Sequence, residues 1–518
     1  MLPRIAIIPT ALALLALSLH AQDSQPQAQP AMPRAKDYTL STPQPANSAL
    51  PPLTLEQCIA MALDKNYDLR IQRISTTAAA NAIETARAAY DPVLGGSANH
   101  GYKRTDHTAS GDPLGGGIVS GQTTSLDASI SQKIITGATL QLGYGNDRVN
   151  RRSDNGPDYY NSGLTLSVRQ PILRNYGSAV NRAAIERARL GAQRSNYDLK
   201  STVLDTIRSV ESAYYTLAYA RANLEVLKTS LGTAQQLYDE NQKRRDVGVS
   251  TALDVLQAQV GVANARRNIL AGEKSVHDAE DALLALINPF QFQTTIGPLD
   301  IVETGPVDIS FDRSYKLARD NSPDLASMNL ALKQSELDLA IAKRNRLPQL
   351  DAVASAGYNA TRAALGPAIG NTLNQRNHDW AIGATLTYPW GARAEKANLA
   401  NAKAALDTNQ VAYEKLDQAV LIQVRTAIRA VQTSEEGVRI SALAASLSEQ
   451  QYNLEKARYD QGLSTFRLVQ DMKQDLDNSR VAELNARVSL RLALADLARL
   501  EGSSLARYNV KLDETPAN

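Results

Sequence analysis

Cysteine is nearly absent. The 518 residues hold one, Cys58, which permits no intrachain disulfide and no thiolate metal site. Histidine is scarce too: His20, His100, His107, His277 and His378 are scattered, no two at metal-ligand spacing. Phenylalanine numbers 4 and tryptophan 2, against 20 tyrosines. A thick globular core uses Phe freely, because each ring buries much area. The chain is rich instead in Ala, Leu, Gln, Asn and Ser, which suits long thin helices. Charge of one sign is lacking as well: 55 Lys+Arg against 53 Asp+Glu leave +2, which excludes the basic stripe of a nucleic-acid binder. No Ser/His/Asp order, Gly-rich phosphate loop or metal cluster is found, so no catalytic residue, cofactor or metal is expected and the chain does not read as an enzyme.

The one long apolar run is at the start. Arg4 precedes Ile5 to Leu19, and Ala21 supplies a small residue at the cut. Residues 1–21 therefore read as a secretory signal peptide; about 15 apolar residues are short for a membrane span. Residues 22–52 are a Pro/Gln-rich linker. No later run approaches ~20 apolar residues, so an exported chain of this kind meets a membrane only through β-strands.

The chain repeats itself. Residues 54–102 align without gaps on 310–358, pairing Ala62/Ala318, Leu69/Leu325, Pro92/Pro348 and Tyr102/Tyr358. A second block pairs Tyr238/Tyr452, Gly248/Gly462, Ser250/Ser464 and Thr251/Thr465. Two half-repeats follow, at 53–305 and 306–502, with a tail at 503–518. Each half starts with a helical piece (about 54–89 and 310–346) and exits at a proline. A strand segment follows (about 93–170 and 351–388), then a very long helix (about 178–247 and 391–461), a turn, and a returning helix (about 251–287 and 465–501). Seventy helical residues span about 105 Å. Val203, Val210, Leu217, Leu224, Leu231 and Tyr238 recur every seven residues, with Ala213, Ala220 and Ala234 at the second seam position. Val424, Val431, Val438, Ala445 and Tyr452 repeat the spacing. This is a coiled coil with close helix approach.

Several runs alternate with period two. Leu126/Ala128/Ile130, Leu140/Leu142/Tyr144, Leu164/Leu166/Val168 and Ile382/Ala384/Leu386 each oppose a small polar face. About ten residues of apolar-out, polar-in alternation is the transmembrane barrel pattern. Trp380 and Trp390 bracket one such run, and Tyr102, Tyr159, Tyr160, Tyr358 and Tyr388 are further candidates for interfacial girdles. The alternative is a soluble sandwich. The first half carries 38 more residues between its matching Tyr and Pro, which fits an added hairpin turning near Ile135–Ala138. Four strands, or six if that hairpin joins, close no lumen alone, since about eight make the smallest barrel. Several chains must then contribute.

These features resemble the TolC-like outer membrane efflux protein family (outer membrane factor). The resemblance covers about 53–502. It rests on Leu53-Thr-Leu-Glu-Gln57, Ile309-Ser-Phe-Asp312, Gln170-Pro-Ile-Leu-Arg174 and the turns Val247–Val255 and Gln461–Thr465, in an order repeated twice. It implies an α+β membrane protein: a homotrimer whose coiled-coil hairpins form a periplasmic tunnel and whose strands share one β-barrel among outer membrane lipids. Its function would be the passive exit duct of a tripartite efflux or type I secretion system. A periplasmic adaptor and an inner-membrane pump (RND, ABC or MFS type) would be its partners. The common family barrel has four strands per chain. The resemblance further implies a latch between Asp254 and Tyr459 and a constriction at Asp471. Leu468 replaces a second constriction aspartate and Ser464 a gating arginine. Gly248, Val249, Ser250, Thr251, Gly462, Leu463, Ser464 and Thr465 match the adaptor-contact tips. The competing reading is an exported structural coiled coil without channel activity.

Overall fold

The computed structural model describes residues 53–106, 118–151, 158–287, 296–299, 309–374 and 377–510. The signal peptide, the linker, His107, the boundary between the half-repeats and the end of the tail lie outside them. Among the described residues no helix is long and apolar enough to cross a membrane.

Chain order follows the duplicated plan. The first half opens with α1 (Leu55–Lys65) and α2 (Tyr67–Arg87), then β1 (Val93–Asp106), β2 (Ile118–Lys133), β3 (Thr139–Arg151) and β4 (Tyr159–Pro171). A short α3 (Ser178–Asn181) leads into α4 (Ala183–Asp246), and α5 (Ala252–Ile287) returns. The second half has α6 (Phe311–Asn321), α7 (Pro323–Asn345), β5 (Gln349–Arg362), α8 (Leu365–Leu373), β6 (Asn377–Thr387), α9 (Arg393–Asp460), α10 (Phe466–Glu501) and α11 (Ser503–Arg507). The bounds of α1 and α6, β1 and β5, and α5 and α10 superpose on the repeat offsets residue for residue.

Local chemistry sets the breaks. Thr54 and Gln57 form a reciprocal capping box at α1. Asn66 ends α1 and caps α2, accepting from the Asp68 and Leu69 amides. Ser322 does the same for α7, with Pro323 at its first position. The early helical pieces are thus two helices each, not one.

α4 and α9 contain 64 and 68 residues, about 100 Å each. Their seams are buried as the heptad requires: Val203, Val210, Leu217 and Ala220 on α4, Val424, Val431 and Ala445 on α9. α4 packs against α5 and α10, and α9 against α10. Toward the sheet, α2 and α7 take over beside α4, and α7 beside α9. The side-by-side order is α5–α4–α10–α9 below and α2–α4–α7–α9 above. One edge of the layer is therefore α2 and α5, the other α9.

All six strands form one antiparallel sheet in the order β1-β2-β3-β4-β5-β6. The added hairpin joins it, so the described residues form six strands where the resemblance implied four. The hairpin turns at Ile134–Ala138, where the Ile134 amide bonds the Ala138 carbonyl. Gly137 has φ +95°, and a Cβ there would lie 2.6 Å from the Asn175 carbonyl oxygen. The turn is tied to the chain entering α4 by Gly177 N–H to Thr136 O (3.1 Å), and Tyr90 donates to Asn181 O (2.5 Å).

Register gathers the apolar residues. Directly paired residues share a face, and one row runs Leu94, Ile130, Leu142, Leu166, Ala356, Trp380. Its neighbour runs Gly96, Ala128, Tyr144, Leu164, Tyr358, His378. The opposite face carries Ser97, Asp127, Ser129, Gln141, Thr165, Ser167, Asp351 and Thr385. Three girdle expectations need correction. Trp390 and Tyr388 lie beyond the end of β6 at Thr387, because Pro389 and Gly391 turn the chain there, so the two tryptophans do not bracket the strand. Tyr159 sits on the polar face, one residue out of phase with Tyr160. Tyr102, Tyr144, Tyr160, Tyr358 and Trp380 share the apolar face.

A Gly137→Ala substitution combines a positive φ with a backbone clash, so it should cost about 1–3 kcal/mol. The expected readout is a lower melting temperature of the sheet-end transition, while Gly101→Ala, in open space, leaves it unchanged.

Candidate functional site

The two helical hairpins end side by side. α4 runs out at Val247, and Gly248 (φ +81°) takes the left-handed stop; α9 runs out at Gln461, and Gly462 (φ +77°) does the same. Paired closing bonds repeat at both turns: Val249 N–H to Arg244 O (2.8 Å) and Leu463 N–H to Arg458 O (2.9 Å). Val247, Val249 and Leu463 point outward, 74 %, 74 % and 66 % exposed. Three aliphatic side chains bare at the ends of two turns form an apolar tip.

The turns differ in their caps. Thr251 and Asp254 reciprocate: Asp254 N–H donates to Thr251 Oγ1 (3.2 Å), and Thr251 N–H and Oγ1 donate to Asp254 Oδ2 (2.9 and 2.7 Å). Ser250 Oγ donates to the same oxygen (3.2 Å). The Thr251 hydroxyl, with help from Ser250, holds the Asp254 carboxyl below the usual aspartate range despite partial burial. In the other turn Ser464 Oγ bonds the Glu455 carboxylate, and Thr465 makes no side-chain cap.

Between the hairpins lies a small core of Leu237, Ala258, Tyr459, Phe466 and Val469. The Tyr459 hydroxyl donates to Asn241 Oδ1 (2.8 Å). A phenol has one proton to give, so the implied Tyr459–Asp254 bond is replaced by Tyr459–Asn241. Asn241 is fully buried, holds its amide on Leu237 O (2.8 Å), and also accepts from Ser250 Oγ (3.3 Å). Ser250 Oγ thus lies within reach of both Asn241 Oδ1 and Asp254 Oδ2, and its single proton serves one of them at a time. Burial pushes the Tyr459 hydroxyl pKa up, partly offset by Arg244.

Arg244 completes the junction. Its guanidinium lies 4.3 Å over the Tyr459 ring, with Nη1 to Tyr459 O (3.3 Å) and Nη2 to Asp460 Oδ1 (2.9 Å). Farther from the tip, buried Lys473 donates to Ser230 Oγ (2.5 Å) and Asp477 Oδ2 (2.7 Å), crossing from α10 to α4. Asn241, Arg244 and Lys473 escaped the sequence reading. Asn241, three residues after Tyr238, is a polar residue at a seam position of the heptad, and that is the signal that points to it.

Asp471 is exposed on α10, 4.0 Å from Arg467. Asp475 follows one turn later, also exposed. Leu468, Asp471 and Asp475 lie along one stripe, so the carboxylate missing at Leu468 has a counterpart one turn on the other side. Among the described residues no group of His, Cys, Asp and Glu could hold a metal ion.

Comparison with known proteins decides the relationship. The family model for outer membrane efflux proteins matches residues 58–289 and 314–503. The chain belongs to the outer membrane efflux protein family. Its relatives include the probable efflux pump outer membrane protein TtgC of Pseudomonas putida, 24 % identical over 56 % of this chain and 59 % of that protein. This chain therefore spans about three fifths of the length of that relative. The outer membrane protein OprJ of Pseudomonas aeruginosa is 22 % identical over 94 % of each. The alkaline protease secretion protein AprF of the same species is 26 % identical over 55 % of this chain and 57 % of its own. Among solved structures, the outer-membrane channel OprN superposes with TM-score 0.67 at 17 % identity, covering 86 % of this chain and 89 % of its own. The Campylobacter jejuni channel CmeC gives 0.66 at 19 %, covering 89 % and 90 %. The efflux-protein fold is thus shared by chains with few identical residues.

The depressed Asp254 pKa has a pH consequence. Its cap is present above the ordinary aspartate pKa of about 3.9 and is lost as pH falls through the lower folded value. Amide exchange at Thr251 should accelerate, beyond its intrinsic trend, as pH falls below about 4 in the parent protein. In Asp254→Asn that excess pH dependence should vanish.

Proposed function

We propose that this chain is the outer-membrane exit duct of a tripartite efflux or secretion system, working as a homotrimer with a periplasmic helical tunnel. The observation that carries the proposal is that sheet and helical layer are open along the same two sides. β1 and β6 each have an unpaired edge. α5 bares Leu253, Leu256, Val260 and Leu270, and α9 bares Ile440, Leu443, Leu447 and Leu454. Both sets have heptad spacing, and both lie within about 22 residues of the tips, at matching heights. A second copy offers α9 to α5 and β6 to β1. That contact is head-to-tail and closes into a ring.

Three copies would bring about eighteen strands to one barrel, enough for an aqueous channel. The polar face carrying Asp127, Ser129 and Thr165 would line the lumen, and the apolar face would meet lipid. Exported structural coiled coil, the competing reading, gives no reason for a continuous apolar sheet face.

In this reading the tips are both gate and dock. Bare Val247, Val249 and Leu463 would meet a periplasmic adaptor, with an inner-membrane pump beyond. Asp471 and Asp475 from three chains would ring the entrance, repelling one another and attracting cations. Tyr459–Asn241 and Arg244–Asp460 would hold the hairpins of each chain together in the closed state. Cargo selection would rest with the pump.

Two measurements test this. Purified protein in planar bilayers should conduct as a trimer, whereas extraction from membranes by salt alone, with no conductance, would leave the coiled-coil reading standing. The pair Tyr459→Phe with Arg244→Ala should raise single-channel conductance several-fold by freeing α9 from α4. Conductance equal to the parent's would show that these residues do not hold the gate.

A further inference from the structure

The apolar face of the sheet carries no charged residue from Leu94 through Ala98, Leu126 through Gln132, Leu140 through Asn146, Ser162 through Gln170, Leu350 through Ala360 and Trp380 through Leu386, taking every second position. Charge returns on that face only at the end far from the helices. There the face positions hold Arg104, Arg148 and Arg362, with His100 and His378, and Asp106 at the last position of β1. Arg148 and Arg362 both pair with Tyr160, one on each side. From Gln170 to Tyr160 is about 33 Å of strand, or about 25 Å of height at a tilt near 40°. That matches the apolar band of an outer-membrane barrel. The arginine row thus falls at the headgroup level of the outer leaflet.

The row is built rather than merely exposed. Asp158 takes Nε and Nη2 of Arg148 (3.2 and 2.7 Å) and holds the guanidinium 6.0 Å over the Tyr160 ring. Beside it lies α8, seated on the same face. Ala368 and Thr372 are buried against β4 and β5, and Thr372 Oγ1 donates to Ser162 O (3.1 Å). Beneath α8 the register partners Asn146, Ser162 and Ala360 are buried. The helix thereby covers the polar members of the apolar face. One face of α8 grips the sheet, while Leu365 and Leu373, two turns apart, remain exposed on another. Asn146 Nδ2 is buried without an acceptor.

We propose that the exterior of the sheet beside α8, with Arg148, Tyr160 and Arg362, is a binding site for a phosphorylated glycolipid of the outer leaflet. The inference rests on the reading of the apolar face as the lipid face. Guanidinium groups match phosphate oxygens bidentately. The Leu365 and Leu373 side chains and the aliphatic rows below offer the acyl chains a continuous path. Fixed negative headgroups around the rim would anchor the barrel at a defined height.

Native mass spectrometry of the full-length assembly in detergent tests this with three probes: a bis-phosphorylated acylated disaccharide, the same glycolipid stripped of phosphate, and inorganic phosphate. The parent should retain the phosphorylated lipid at about tenfold lower concentration than the stripped one, and equimolar inorganic phosphate should not displace it. Arg148→Gln with Arg362→Gln should abolish the preference. Leu365→Ser with Leu373→Ser should weaken both lipids equally and keep the preference. Equal retention of both lipids by the parent, an undiminished preference in the arginine variant, or displacement by inorganic phosphate would each overturn the site. Membrane fractionation and oligomer migration of every variant are read separately. A parent that fails to insert sinks the duct reading, whereas an inserted assembly without lipid preference sinks only this one.

Discussion

A sheet edge in hydrocarbon must be paired, and the proposed assembly follows from that constraint. Water is not there to satisfy an open row of N–H and C=O groups, each of which would cost several kcal/mol. The six strands of one chain pair with one another and leave two edges, β1 and β6. The helical layer leaves its own bare sides on α2 and α5 and on α9. In the proposed ring both layers would meet the same neighbour in the same direction. A fold in which sheet and helices demanded different partners could not be satisfied by copies of itself.

Duplication explains how the two layers stay in step. Each half supplies an early helix pair, a strand segment and a long hairpin, and the ends of α1 and α6, β1 and β5, and α5 and α10 keep their offsets to the residue. The two halves differ where the first carries β2 and β3. That hairpin enters the sheet without disturbing the helices, because its turn is pinned through Gly137 and Thr136 to the chain leading into α4. An insertion in a sheet adds width, whereas an insertion in a heptad seam would shift every later contact.

The tips are held by polar contacts within a thin core. Tyr459 and Phe466 pack with Leu237, Ala258 and Val469, while Asn241, Arg244, Lys473 and Asp477 add directional bonds. A purely aliphatic seam would be stronger and less specific; buried polar groups at seam positions fix register at a cost in stability. That balance would suit the proposed gate, in which the two hairpins separate. Outward from it, Val247, Val249 and Leu463 remain bare.

Much of the fold was legible in the sequence, because period seven and period two are printed directly in the order of residues. Val203 through Leu217 and Val424 through Val431 announced the seams, Gly248 and Gly462 the turns, and Leu126 through Ile130 a strand face. The family resemblance located Tyr459 and Asp254 but paired them with each other. Only the tertiary structure placed the Tyr459 hydroxyl on Asn241, since a hydrogen-bond partner 218 positions away is set by how two helices cross, not by local pattern. The sequence likewise offered four or six strands and two bracketing tryptophans. Pairing to β1 and β4 decided for six, and the turn at Pro389 carried Trp390 off the strand. Local propensity and periodicity determined which segments are helices and strands. Which edges meet, which polar atoms pair, and which apolar faces stay open depend on distances between segments far apart in the chain, and those exist only once it has folded.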